Sequence, residues 1–261
     1  MKVRIKFAKY GAMKFIGHLD MMRFFQKAVR RADIDVKYSE GFSPHQIMSF
    51  AAPLGVGIES CGEYLDLEVL SMVSAEDMKE ALNQVMAEGV KVLSVTVLSD
   101  QAKNAMASVS AATYQLHLKE GNFPVPDLAE SVASFYAQDR IPYTKETKKS
   151  ILEIDLKQGI YEIHVDETEV LTDIMSSAAA VFVTDPTEDR MTVPCILMTL
   201  DASSSGNIKP TVVFEKFCAF AGCEIPPSAL QVTRLETYAD VAKEGEKHQF
   251  IPLSEISSEN T

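Results

Sequence analysis

The chain has 261 residues, 46% of them hydrophobic, and a formal charge of −12. Its length suits two compact domains and its composition is that of a globular protein. No apolar run approaches the roughly 18 residues of a membrane span, and the acidic total argues against a uniformly basic nucleic-acid binder.

The charge is unevenly placed. Residues 1–50 hold ten Lys or Arg and four Asp or Glu, a balance of +6, which leaves −18 for the rest. Such asymmetry suggests one basic face on an acidic body, although scatter with an acidic tail gives the same count. The opening Met1-Lys-Val-Arg-Ile-Lys-Phe7 alternates charged and apolar residues. That is a strand with one apolar and one basic face, not a signal peptide, so a cytoplasmic location is expected.

From His18 to Ala32, Leu19, Met22, Phe25, Val29 and Ala32 recur at helical spacing, with Arg23, Lys27, Arg30 and Arg31 on the opposite side. Asp20 in the first turn and arginines near the end also suit the helix dipole, so the basic stripe is equally read as a solvated face. Val36–Tyr38 starts a second strand, interrupted at Gly41 and Pro44 and resumed over Gln46–Ala51; Glu63–Leu70 is a third. Ser74 caps a helix carrying Met78, Leu82, Val85 and Met86, Gly89 stops it, and Val90–Leu98 is a fourth strand. The order β-α-β-β-α-β is the ferredoxin-like arrangement.

Residues 99–112 read as a linker or weak helix. Thr113–Leu118 is a strand and Pro126–Gln138 a helix. Ile141–Lys145 and Ser150–Leu156 are strands around a lysine-rich turn, followed by a strand at Tyr161–Val165. Thr168–Ala180 is ambiguous. Met191–Leu200 is a strand, Ser203–Asn207 a turn, Lys209–Ala221 a helix ended by Gly222, and Leu230–Tyr238 a last strand. The expected fold is α+β: two tandem ferredoxin-like (βαββαβ) units with antiparallel sheets, at 1–98 and 112–240, and a flexible acidic tail at 241–261.

Polar residues able to do chemistry concentrate between Lys14 and Leu67. His18, Asp20, Glu40, Ser43 and His45 could converge beside the start of the first helix. Two imidazoles there could serve as general acid and base in a metal-independent endoribonuclease, with His18, His45 and Asp20 as its catalytic residues. The plainer reading is a capping histidine and a loop histidine. Phe15, Tyr38, Phe42 and Phe50 lie near cations and could stack unpaired bases or simply pack. Gly55 and Gly57 suit close backbone approach or a turn, and no nucleotide-binding loop is spelled. Cys61, Cys195, Cys218 and Cys223 form no CxxC pair and read as reduced, mostly buried thiols. No compact metal motif and no cofactor motif is present in the pattern.

Phe15-Ile-Gly-His-Leu-Asp20, Tyr38-Ser-Glu-Gly-Phe-Ser-Pro-His45, Ser49-Phe-Ala-Ala-Pro-Leu-Gly-Val-Gly57 and Glu63-Tyr-Leu-Asp66 together resemble the bacterial radical-SAM-linked protein family, a domain of unknown function found alone or behind a radical SAM enzyme. Lys148-Lys-Ser-Ile-Leu-Glu-Ile-Asp155 looks like its second-half motif. The resemblance covers roughly residues 1–200 and departs at Gln46, where proline is expected. It implies an accessory protein working with a radical SAM enzyme on a separate polypeptide, in RNA or ribosome maturation, since this chain lacks the CxxxCxxC that holds such a cluster. At fold level the pattern is also similar to the CRISPR-associated RNA-binding superfamily. The binding residues expected are Lys14, Arg23, Lys27, Arg30, Arg31, Tyr38, Phe42, Ser43, Gly55, Gly57, Lys148 and Lys149. A protein–protein scaffold without nucleic acid is the remaining alternative.

Overall fold

The computed structural model describes residues 1–99, 101–146, 151–172, 177–182, 188–243 and 245–256. In the first half, β1 (Lys2–Lys9), α1 (His18–Arg31), β2 (Met48–Phe50), β3 (Glu59–Glu68), α2 (Ala75–Val85) and β4 (Val90–Leu98) follow in that order. β1 lies between β4 and β3, and β2 adds to the C-terminal part of β3. Val3, Ile5 and Phe7 of β1 turn inward on to Phe25 and Val29 of α1 and on to Met78 and Leu82 of α2. The inner face of α1 is Met21, Phe25, Ala28 and Val29, while Leu19, expected there, is exposed. The spacing 21-25-28-29 is the truer helical stripe, and Leu19 lies half a turn away from it. Ser74 caps α2 by accepting the Asp77 N–H at 3.0 Å.

The weak helix between the halves is one turn, α3 (Ala105–Ser108), capped by Asn104. Then come β5 (Ala111–Leu118), α4 (Leu128–Tyr136), a separate hairpin of β6 (Pro142–Glu146) and β7 (Ile151–Asp155), and β8 (Ile160–Leu171). The ambiguous stretch contains the end of β8 and a short α5 (Ala178–Val181) capped by Ser177. β9 (Arg190–Asp201), α6 (Pro210–Ala221) and β10 (Leu230–Asp240) complete the half, with strand order β10-β5-β9-β8. Each half therefore shows the same spatial order of its four strands, fourth-first-third-second. The second core lies between this sheet and α4 and α6, and includes Leu116, Phe135, Ile196, Leu200, Phe214 and Phe217. The whole is α+β, and the sheet is mainly antiparallel. Among the described residues no helix is long and apolar enough to cross a membrane.

The two halves are not independent sheets. β3 pairs parallel with β10, Glu59 opposite Thr233 and Ser60 opposite Arg234, so all the described strands except the β6–β7 hairpin form one nine-stranded sheet. Side chains lock the seam. Ser60 Oγ donates to the Arg234 carbonyl at 3.0 Å, and Thr237 Oγ1 donates to the Gly62 carbonyl at 2.8 Å. Gly62 permits the approach: a Cβ there would sit 2.5 Å from the Glu236 Cα.

The C-terminal segment, expected to fray, is docked as far as it is described. β11 (Phe250–Pro252) pairs antiparallel with β10, and Leu253 and Ile256 are buried beside Tyr64, Ala105 and Ala239. Its apolar residues cover the face of the sheet that α1 and α2 leave open. The Leu253 carbonyl accepts from Arg4 Nη1 at 3.0 Å.

Two measurements test this packing. Gly62→Ala must push β3 from β10 and should cost about 1–3 kcal/mol of unfolding free energy in urea, as overpacking at a tight approach does. Burial raises the thiol pKa of Cys61, Cys195 and Cys218 to about 12. A thiol reagent at pH 8 should therefore modify only the half-buried Cys223 in the native protein, and all four cysteines after denaturation.

Candidate functional site

Fourteen residues of α1 turn one charged face outward. At 100° per residue, Arg23, Lys27, Arg30 and Arg31 fall within about a third of its circumference, and all four are exposed. Arg23 pairs with Asp20 at 3.0 Å, both well exposed, and Arg31 Nη2 donates to the Val85 carbonyl at 2.9 Å. Beside this face stands an irregular hairpin. Val36 bridges to Val69 and Tyr38 to Gln46, and Ser39 N–H donates to the His45 carbonyl at 2.8 Å. The hairpin base is tied to the helix through one acceptor: the Gln26 carbonyl takes hydrogen bonds from Gln46 Nε2 and from Arg30 Nε, each at 3.2 Å. Gln46, where proline was expected, thus supplies the link. At the hairpin tip Phe42 is completely exposed, Tyr38 is 45% exposed, and Ser43 is exposed with them. Gly41, at φ +109°, allows the tip to turn.

The expected acid–base pair does not assemble. His18 is half-buried with its ring edge-on to Phe50, centroids 5.3 Å apart. His45 Nδ1 lies 2.8 Å from Ser39 Oγ, which also accepts the His45 N–H at 3.1 Å. Asp20 is engaged with Arg23. No hydrogen bond joins any two of the three, because His18 is held on to the core and His45 is turned into its own hairpin. Among the described residues no group of three or more His, Cys, Asp or Glu converges as metal ligands would.

Several charged motif residues turn out to be internal. Lys14, expected on the binding surface, is buried, and its Nζ donates to Glu59 Oε1 at 3.1 Å and to Gln231 Oε1 at 2.8 Å. Glu59 Oε2 accepts from Ser177 Oγ at 2.8 Å. Burial pushes the Glu59 carboxyl pKa up, while Lys14 and Ser177 pull it down. Asp66 is held by Arg4 through Nε at 2.8 Å and Nη2 at 3.0 Å. Glu63 accepts from Arg234 Nε at 2.8 Å and from its Nη2. The basic face expected of β1 is likewise engaged within the fold: Arg4 meets Asp66, Lys6 meets Glu236, and Lys9 is buried with Nζ on the Ile16 carbonyl at 2.7 Å. Lys148 and Lys149 lie outside the described residues.

Gly55 and Gly57 sit on the segment Ala51–Ile58, which forms one wall of a cleft between the halves. Gly57 has φ +85° and its N–H donates to the Lys14 carbonyl at 2.8 Å. The opposite wall is the loop Ala202–Lys209 and the start of α6, and Arg234 and Tyr114 also line the cleft. The sequence pattern read Ser203–Asn207 as a turn and no more. The signals for this cleft were a charged Arg234 inside an apolar strand pattern and hydroxyls clustered before Pro210, neither of which says what it faces.

The model of a family described as an uncharacterized protein conserved in bacteria (DUF2344) matches residues 2–210, and the chain belongs to that family. The match takes in α1, the hairpin and both walls of the cleft up to the first residue of α6. A search of curated proteins finds no match.

The internal role of the motif carboxylates is testable. Glu63→Ala leaves Arg234 buried without its carboxylate and should lower the unfolding free energy by about 3–5 kcal/mol in urea, the usual cost of breaking a buried pair. Asp20→Ala, at an exposed pair, should leave the same transition almost unmoved.

Proposed function

We propose that this chain is a non-catalytic RNA-binding accessory protein, working with a radical SAM enzyme carried on another polypeptide in RNA or ribosome maturation. The radical SAM partnership rests on the sequence resemblance. The RNA-binding part rests on one observation: an exposed cationic face of α1, next to a hairpin that offers an unpaired aromatic ring at its tip. Cations placed along a helix face hold phosphates, and exposed rings stack unpaired bases. An apolar ring as fully exposed as Phe42 contributes nothing to the core, which supports a ligand-binding role for it. We read the two halves as tandem ferredoxin-like units at 1–98 and 112–240, fused edge to edge. The repeated strand order supports this.

In this reading Arg23, Lys27, Arg30 and Arg31 hold the backbone of a single strand while Tyr38 and Phe42 take bases. Ser43, beside Phe42, adds a hydroxyl. His18 and His45 do no chemistry; they hold α1 and the hairpin in place. The protein thus supplies a grip for the substrate, and the partner supplies the reaction.

The test is fluorescence anisotropy of the full chain with a labelled single-stranded RNA of mixed sequence, from 50 to 200 mM salt. Binding should weaken with salt. The variant Arg23→Ala/Lys27→Ala/Arg30→Ala should flatten the slope of log K against log salt by about 0.7 for each phosphate it no longer neutralises. Phe42→Ala should weaken binding without changing that slope, since a stacked base is worth about 1–3 kcal/mol and carries no counterion. Absence of RNA binding, or equal binding by wild type and the triple variant, refutes the proposal. Salt-insensitive binding to a protein alone would mark a scaffold instead.

A further inference from the structure

The loop Pro53-Leu-Gly-Val-Gly57 has no part in the RNA-binding surface proposed above, yet it walls the cleft between the halves. That cleft encloses about 620 Å³. Its two walls differ in character. The first-half wall is apolar: Ala51, Pro53, Leu54, Val56 and Ile58, joined by Met106 and Val109 from the connection. The second-half wall is mixed: Ser203, Ser204, Asn207, Lys209 and Thr211 stand among Ala202, Ile208 and Pro210. Lys209 is exposed, and no carboxylate among the described residues pairs with it.

Arg234 lies at the floor of the cleft, bound to Glu63 and to the Ala52 carbonyl at 2.7 Å. A further carboxylate, Asp201, sits behind the serine loop. It is already occupied by the Ser203 N–H at 2.8 Å and is covered by Gly206, whose Cβ would collide with it.

We infer that this cleft binds a phosphorylated small molecule of nucleotide size. Lys209 and the Ser203, Ser204 and Thr211 hydroxyls hold the phosphoryl group, Arg234 lies beneath it, and the Pro53–Ile58 wall takes the apolar or planar body. A cleft of this volume, with one apolar wall and a few converging polar groups, is the usual form of a small-molecule site. Charge-assisted hydrogen bonds to phosphate oxygens supply the specificity.

The experiment uses the full chain. Thermal melting and titration calorimetry are run with inorganic phosphate, adenosine and uridine 5′-monophosphates, the two free nucleosides, and a short RNA with and without a 5′-phosphate. A phosphorylated probe should raise the melting temperature where its nucleoside does not. Its affinity should fall about tenfold in Lys209→Ala, as removal of one charge-assisted hydrogen bond predicts. Val56→Trp, which fills the open side of the cleft, should abolish binding of the monophosphates. Both variants lie at exposed positions, so their melting without ligand should match wild type. If only the 5′-phosphorylated RNA binds and Lys209→Ala weakens it, the ligand is an RNA terminus. If a monophosphate binds, it is a free nucleotide. If no phosphorylated probe binds, or if Lys209→Ala and Val56→Trp bind as wild type does, the inference is wrong. Arg23→Ala/Lys27→Ala/Arg30→Ala should not alter this binding, which separates the cleft from the α1 surface.

Discussion

The structure depends on the way one strand's carboxylates are neutralised. β3 carries Glu59, Glu63, Asp66 and Glu68, and each meets a cation from a different place: Lys14 after β1, Arg234 in β10, Arg4 in β1, and Lys37 in the hairpin. The first three pairs are buried. A carboxylate buried alone would be far too costly, so folding cannot finish until all these segments have arrived. Glu63–Arg234 and the Lys14–Glu59–Gln231–Ser177 cluster also cross between the halves. They make the second half part of the first half's charge balance.

This arrangement decides which cations are left for other work. Of the ten basic residues in the first fifty, Arg4, Lys6, Lys9 and Lys14 are consumed inside. The cations of α1 remain outside, and no buried carboxylate among the described residues meets them. The electrostatic surface is thus smaller than the sequence count suggests, but it is concentrated on one helix. At the cleft, Arg234 is held by Glu63 at the floor while Lys209 stands exposed on the wall. Both features follow from where β3 and β10 meet, and that meeting needs the missing side chain of Gly62.

Much of the scaffold was legible in order. The strand at Val90–Leu98, the helix after Ser74 and the helix ended by Gly222 rest on local patterns, and the structure has them. Local patterns failed where a residue's role is set by a distant partner. Leu19 fits a helical spacing but faces solvent. Phe250, Leu253 and Ile256 lie in a polar, acidic stretch, yet they dock, with Leu253 and Ile256 beside Ala105 and Val109 on the face of the sheet that α1 and α2 leave open. Lys14 reads as a surface cation because nothing nearby in sequence announces Glu59 or Gln231.

The sequence by itself determined the α+β class, the β-α-β-β-α-β order of the first half and the basic face of α1, which depend on periodicity and composition over short stretches, while its motifs carried a family resemblance. Only the tertiary structure decided that the two halves share one sheet, that the motif carboxylates serve as counterions, that His18 and His45 do not meet, and that a cleft opens between Pro53–Ile58 and Ser203–Thr211. The physical reason is range: a helical stripe is written within four residues, whereas Lys14 finds its buried partner Gln231 from the far end of the chain.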